Sequence, residues 1–470
     1  MAKTRRFDSG LMGEMHEGRL LLSLSVPMML SMLVQALYNV VDSIYVAQVS
    51  EDCLSALSLA FPAQNIMIGL GTGTGVGVST LVSRALGAGN RKHASRVAGI
   101  AIFLSGCCWL LMALFGLFGV DVFIHSQTDI PEISSYAESY LRIVTIGSLF
   151  LYLEVTAERL LQSTGQTRLS MWTQMVGAVT NIILDPFLIF GWCGLPAMGT
   201  AGAAIATVIG QAFGAAIGFF FHFKLNREVP ISLQDCRPDL HTIRNIYRIG
   251  FPSIAMMVIS SITNFMMNII LIGFTPTAIA VYGSYFKIQS FFFMPVFGIN
   301  NGLVPIIGYN YGARKKQRIY RTFRYGVLYA SCFTLLGLAL FQLMPEVLLG
   351  IFNPSDAMLA IGVPAFRRIS LSFVFAGFCI VGGSTCQALD KSLFSLFVSI
   401  LRQMLALVPS AWLLAKTGNV DMVWFSFPIA EIISLVATIV FLHSAFQSME
   451  KALDDTPPQS VSVSEGEAVT

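Results

Sequence analysis

Two carboxylates lie where charge is expensive, and they are the groups best placed to do chemistry. Asp42 ends the sequence LVQALYNVVD, after Gln35, Tyr38 and Asn39, and Asp185 follows Asn181 in NIILDPFLIF. Spacings of three and four put Gln35, Asn39 and Asp42 on one face of a helix, and Asn181 and Asp185 on one face of another. If these runs lie in a bilayer, each charge costs roughly 2.5–3.5 kcal/mol or more at a helix centre. It then needs a partner, a water-filled cavity or a proton. Two carboxylates and two amides at one depth would suit a proton or a small cation, released when the other enters. The plainer reading is hydrogen bonding between helices, with Asp185-Pro186 marking a helix irregularity. Tyr140 falls near the same depth. Glu154 and Glu158 share a face near the other end of their helix, and Lys287 and Glu431 stand about nine residues inside two later runs. Those last two either pair with each other or meet a substrate.

The elements that must carry these residues are membrane helices. The chain has 470 residues, 55% hydrophobic and only 12% charged, against about 25% charged in soluble domains. A bilayer core about 30 Å thick needs roughly 20 apolar residues as helix, because lipid offers backbone groups no other partner. Twelve runs qualify: 20–47, 54–80, 97–119, 135–157, 169–190, 201–222, 246–273, 278–308, 325–345, 366–388, 393–415 and 422–444. Loops rich in Lys and Arg (Arg84 to Arg96, Lys224 to Arg248, Arg314 to Arg324) alternate with loops in which only Lys416 is basic. The positive-inside rule then predicts cytoplasmic termini and a multi-pass protein of the plasma or inner membrane. The eight cysteines are scattered and read as small buried hydrophobes, with Cys53 and Cys193, near the outer face, as the exceptions to check.

The sequence repeats itself at a lag of 225 residues without gaps. Pro27 falls on Pro252, Asn39 on Asn264 and Gln64 on Gln289. Gly73 falls on Gly298, Gly77 on Gly302, Gly87-Ala88 on Gly312-Ala313, Arg142 on Arg367 and Gln162 on Gln387. Each repeat holds six spans, so both have one orientation and a pseudo-twofold axis along the membrane normal. Transporters of this design bind substrate between repeats and rock one against the other. The predicted fold is thus an all-α integral membrane protein with twelve transmembrane helices in two pseudo-symmetric six-helix lobes. The predicted segments are a cytoplasmic N-terminus (1–19), an N-lobe (20–222), a linker (223–245), a C-lobe (246–445) and a disordered tail (446–470). The run GLGTGTGVG lies inside an apolar span with no preceding strand, and reads as close helix packing rather than a nucleotide loop. Pro27 and Pro252 are predicted bending points.

Several stretches together resemble one family. They are P27-x11-N39-x2-D42, VSRALGAGNRKHA, ERLLQSTGQTRLSM, NIILDPFLIFG, MGTAGAAIAT and IGYNYGARKKQR. Over about residues 15 to 445 they look like the multidrug and toxic compound extrusion (MATE) family, in its bacterial MepA-like branch. The resemblance implies two V-shaped lobes and efflux of cationic or amphipathic drugs driven by inward proton or sodium flow. It implies no cofactor, no nucleic acid and function as a monomer in the lipid bilayer. It carries ion coupling onto Asp42, Asn181, Asp185 and Tyr140, an important fourth-span carboxylate onto Glu158, and a helix bend onto Pro27. Gln35, Tyr38, Asn39, Glu154, Glu158, Lys287 and Glu431 are the expected cavity residues. Some relatives carry an acidic pair in spans 7 and 10. Here span 7 has Ser260 and span 10 has no carboxylate, so coupling is expected in the N-lobe. A lipid or polysaccharide-precursor flippase is the alternative. An integral-membrane enzyme would need a His, Cys or metal constellation that the sequence does not display.

Overall fold

The computed structural model describes residues 9–194, 196–352 and 354–454. After a short helix α1 (Leu11–Glu14), the first half comprises α2 (Glu17–Val49), α3 (Glu51–Gly87), α4 (Arg91–Phe118), α5 (Val120–His125), α6 (Pro131–Ile146), α7 (Leu149–Ser163), α8 (Thr167–Phe190) and α9 (Thr200–Leu225). The second half comprises α10 (Leu240–Ile272), α11 (Pro276–Gly312), α12 (Lys316–Leu343), α13 (Pro345–Gly350), α14 (Asp356–Ser370), α15 (Phe373–Ala388), α16 (Ser392–Ile400), α17 (Val408–Ala415), α18 (Val420–Val423) and α19 (Ser426–Asp454). A π-helical turn, Leu401–Leu407, joins α16 to α17. No strand occurs among the described residues. Ten helical segments are long and apolar enough to cross a membrane, and two bent pairs complete twelve. Every predicted span has its counterpart.

Local chemistry repeats with the halves. Ser50 caps α3 by accepting from the Cys53 amide at 3.1 Å, and Thr275, 225 residues on, caps α11 by accepting from Ala278 at 3.2 Å. Such caps satisfy amides that a helix start otherwise leaves unpaired. The linker between halves is pinned as well. Arg96 donates to the Gln234 carbonyl at 3.3 Å, and the backbone of Asp235 lies against Gly99. The Ser232 hydroxyl and amide, at 2.6 and 2.9 Å, hold the Asp235 carboxyl below the usual carboxylate range.

The helices run unbroken through Pro27 and Pro252. Breaks with sharp bends fall between α6 and α7 (48°) and between α14 and α15 (50°). At each bend a serine hydroxyl, Ser148 or Ser372, donates to the carbonyl three residues back at 2.7 Å, a local competitor for the helix ladder. A proline in a packed membrane helix is tolerated because neighbours accommodate the freed carbonyl. One expectation needs correction: the first residues of the predicted tail are helical, since α19 continues to Asp454 and Tyr320 donates to Glu450 at 3.0 Å. Residues 455–470 of the predicted tail, like residues 1–8, lie outside the described residues. Finally, Cys53 and Cys193 are free, the first buried and the second exposed.

Packing divides by depth. Toward the end with non-basic loops, each half has its own apolar core. One is built around Tyr140, Tyr152 and Ile189, the other around Tyr285, Phe366 and Trp424. Toward the basic end the cores are shared between halves. Leu20, Leu21 and Leu24 of α2 pack with Val296, Ile299 and Leu303 of α11. Ile246 of α10 packs with Val78 and Val82 of α3. The repeated glycines make this exchange possible. A Cβ at Gly73 would meet Ile254, and at Gly298 it would lie 2.7 Å from Met29; both pairs are related by the lag. A Cβ at Gly87 would strike the Tyr309 carbonyl oxygen, and at Gly312 the Arg84 carbonyl oxygen. The GLGTGTGVG run is thus a packing surface, as read from sequence.

Replacing Gly312 by Ala should therefore lower the melting temperature in detergent, because overpacking against a backbone atom costs typically about 1–3 kcal/mol. Gly106→Ala, where a Cβ meets nothing within 4 Å, should be neutral or stabilising. Equal behaviour of the two variants is the result that contradicts the packing described.

Candidate functional site

The polar groups singled out in the sequence converge between α2, α6, α7 and α8. Asp42 is 8% exposed and Asp185 is fully buried. The Asn181 amide donates to the Asp185 carboxylate at 3.3 Å and also faces Thr207 of α9. With that amide turned over, its nitrogen donates to Asp185 Oδ2 at 3.2 Å and its oxygen accepts from the Thr207 amide at 3.1 Å, so either orientation keeps the bond to Asp185. Asp42 has a buried oxygen, Oδ1, without a hydrogen-bond partner among the described residues. Its charge acts on Asp185, on Tyr38 and on Tyr140. One electrostatic neighbourhood therefore contains Asp42, Asp185, Tyr38 and Tyr140, with Asn181 bonded to it.

Amides tie the surroundings together. Gln64 of α3 donates to the Tyr140 hydroxyl at 2.7 Å, and Gln174 of α8 donates to Gln35 of α2 at 2.5 Å. Gln64, Gln174 and Thr207 were missed as site residues. Gln64 had been visible only as a member of the repeat, and Gln174 lies seven residues before Asn181 on the same helix face. Asn39 is exposed on α2.

Glu154 belongs to this neighbourhood more closely than its sequence position suggested. It is 9% exposed, it rests against Gly177 and Gly214 of the adjoining helices, and its charge acts on Tyr38. Glu158 follows one turn later and acts on Glu154. Beside it, the Arg159 guanidinium donates to Gln162 and, across the lobe boundary, to Asn301 of α11, each at 3.0 Å. That bridge had no sequence signal, since the partner is 142 residues away.

The second half is polar in a different way. Lys287 does not pair with Glu431. Its ammonium lies 5.9 Å from the Phe352 ring centroid. Glu431 pairs instead with Arg402 of the π-helical turn at 3.6 Å. Arg402 sits mid-span in LRQML, 29 residues before Glu431, and its pairing had no signal in the sequence. Among the described residues no three His, Cys, Asp or Glu side chains converge as a metal-ion cluster. The first-half site offers two carboxylates, amide oxygens and hydroxyls, a donor set that suits a proton or a hard monovalent cation.

Asn181→Leu should leave the Asp185 carboxylate unpaired in the protein interior and destabilise the protein by about 1–3 kcal/mol. Adding Asp185→Leu should recover part of that loss. Thermal unfolding in detergent reads both, and a wild-type melting curve for the single variant contradicts the pairing.

Known proteins resemble this chain in sequence and fold. The MatE family profile matches residues 27–187 and again 252–413, one match in each repeat. The multidrug export protein MepA of Staphylococcus saprophyticus is 26% identical over 425 residues, covering 89% of this chain and 92% of that protein. MepA of Staphylococcus aureus strain N315 is 26% identical over 426 residues with the same coverage. Among solved structures, a MATE crystallised with MaL6 superposes with a TM-score of 0.87 at 25% identity, over 95% of this chain and 99% of that one. An outward-facing multidrug resistance MATE transporter of the MOP superfamily gives 0.86 at 25% identity, over 96% and 98%. With two family matches, one on each six-span repeat, this chain belongs to the MatE family of membrane transporters.

Proposed function

We propose that the protein is a multidrug efflux antiporter. It exchanges cationic or amphipathic organic molecules for protons or sodium ions by rocking of its two lobes, with the basic end in the cytoplasm. The observation that carries the reading is the course of α2. Its outer half presents Asp42, with an unpartnered buried oxygen, to Asp185 and Tyr140. Its other half lies in the core of the second lobe, where Ser25 reaches toward the Ile299 carbonyl at 3.5 Å and Met29 fills the hollow at Gly298. A change of charge at Asp42 therefore acts on a helix that is also part of the joint between lobes.

Cross-lobe bonds run from the basic end to about mid-depth: Arg84 with Asp390 at 3.8 Å, Arg159 with Asn301 at 3.0 Å and Thr72 with Met257 at 3.4 Å. Farther out, Phe61, Ile66, Phe265 and Phe291 are exposed. With the basic loops in the cytoplasm, this is an outward-open arrangement. Neutralising Asp42 removes the reason for its neighbourhood to hold a cation, so α2 can relax, the outer cleft can shrink and the drug can leave. Coupling requires only that ion and drug favour different states. The excess of carboxylates in the first-lobe site favours positively charged cargo.

Two experiments test this. In liposomes loaded with a cationic dye, an imposed pH or sodium gradient should drive transport by the wild type, and the effective gradient identifies the ion. Asp42→Asn should lose gradient-driven transport by about tenfold or more while melting normally; undiminished transport by that variant removes Asp42 from the mechanism. Second, the position of a Cβ at Gly302 lies 2.6 Å from Ser25 Oγ. In a background without the native cysteines, Ser25→Cys with Gly302→Cys should form a disulfide that halts transport until it is reduced. Transport that continues through the cross-link rules out rocking at this joint.

A further inference from the structure

We propose that a crevice between the basic ends of α2 and α12 binds an anionic phospholipid, with its phosphate held by Arg321, Arg324 and His16. This does not rest on the transport reading. His16, Glu17, Arg321, Arg324 and Tyr325 line a cavity of about 250 Å³ at this place. Its charge is unbalanced. Glu17, almost fully buried, is met by Arg318 at 3.3 Å and only distantly by Arg321 at 3.9 Å. Arg318 is committed to structure, since it also donates to the carbonyls of Met12 and Met15 and to Asn310. Arg321 is mostly exposed, and Arg324 is exposed with no partner among the described residues. Glu17 is the one carboxylate lining the cavity and is paired with Arg318, whereas Arg321 and Arg324, which line it too, are exposed.

The walls suit a lipid rather than a free anion. Arg321, Tyr325 and Leu328 follow at spacings of four and three, and Leu335 continues that ridge of α12 toward mid-membrane. On α2, Leu22, Val26 and Leu30 follow one another at spacings of four, beginning six residues after His16. Leu22, Val26, Leu30, Leu328 and Leu335 are all exposed on helices that cross the membrane. Tyr325 stands edge-on to His16 with ring centroids 5.6 Å apart, and tyrosine is enriched at the headgroup level. Two cations at the mouth above two parallel apolar rows match a phosphate with acyl chains beneath it. Basic pockets between membrane helices on the cytoplasmic side take such headgroups. Because α2 starts the first half and α12 belongs to the second, the lipid would straddle their boundary.

Native mass spectrometry of the full-length protein, released from nanodiscs of equimolar phosphatidylglycerol and phosphatidylcholine, tests this. The wild type should retain phosphatidylglycerol preferentially. Arg321→Gln with Arg324→Gln should lower the ratio of the two adducts by about tenfold or more, with an unaltered melting curve in detergent. Arg91→Gln with Lys92→Gln, in another basic loop, should leave the ratio unchanged. An unchanged ratio in the first double variant overturns the proposal, and so does an equal drop in the control pair, which would signal diffuse surface charge. Displacement of phosphatidylglycerol by inorganic phosphate at millimolar concentration overturns it too, since the apolar rows would then contribute nothing.

Discussion

Close backbone approach between the two repeats is the constraint on which the molecule depends. Membrane helices gain little from burying apolar groups away from lipid, so packing and hydrogen bonding must hold them together. Here that contact is made twice by the same residues. Gly87 rests on the Tyr309 carbonyl, and Gly312 rests on the carbonyl of Arg84, which is the lag partner of Tyr309. Gly73 and Gly298 receive Ile254 and Met29, again lag partners of each other. A side chain at any of these places would hold the halves apart. The repeat is therefore a rule for contact, in which each half supplies a helix to its partner's core. These close contacts lie toward the basic end of the molecule.

That geometry explains why a first-lobe charge can matter to the whole. α2 is at once the carrier of Asp42 and a member of the second lobe's core. Few local events could couple the lobes better than one that changes what α2 tolerates at its outer half. The bend in the fourth span contributes in the same direction. It turns α7 so that Glu154 reaches the surroundings of Tyr38, while Arg159, farther along the same helix, crosses to Asn301. Carboxylates that sense the site and a guanidinium that spans the joint thus sit on one rigid segment of fifteen residues.

The fold was legible in the sequence because its causes are local or periodic. Apolar run length and a lag of 225 specify spans and duplication without knowledge of contacts. Asp42, Asn181, Asp185 and Tyr140 were legible because polar groups are scarce in such runs and helical spacing orders them. What stayed hidden depended on partners far apart in the chain. Gln64 and Gln174 look like ordinary span residues until Tyr140 and Gln35 face them. Arg402 looks like a stray base until Glu431 lies beside it. The two broken spans had no such signal either, because the serines at the breaks, Ser148 and Ser372, look like any other span serine until they compete for backbone carbonyls.

The same frame carries opposite electrostatics in its two copies. In the second lobe Cys379 stands at the lag position of Glu154, and the charge of Glu431 is answered within the protein by Arg402. In the first lobe Asp185 accepts from the Asn181 amide and Asp42 Oδ1 has no hydrogen-bond partner, so neither carboxylate is met by a cation among the described residues. A buried ion pair costs desolvation whether or not a solute is present, and once formed it offers an arriving cation little. A buried carboxylate without a counter-cation remains able to take a proton or a metal ion. The repeat thus shares its packing between the halves but not its ionisable groups, and under the proposed mechanism that difference would assign ion coupling to the first lobe.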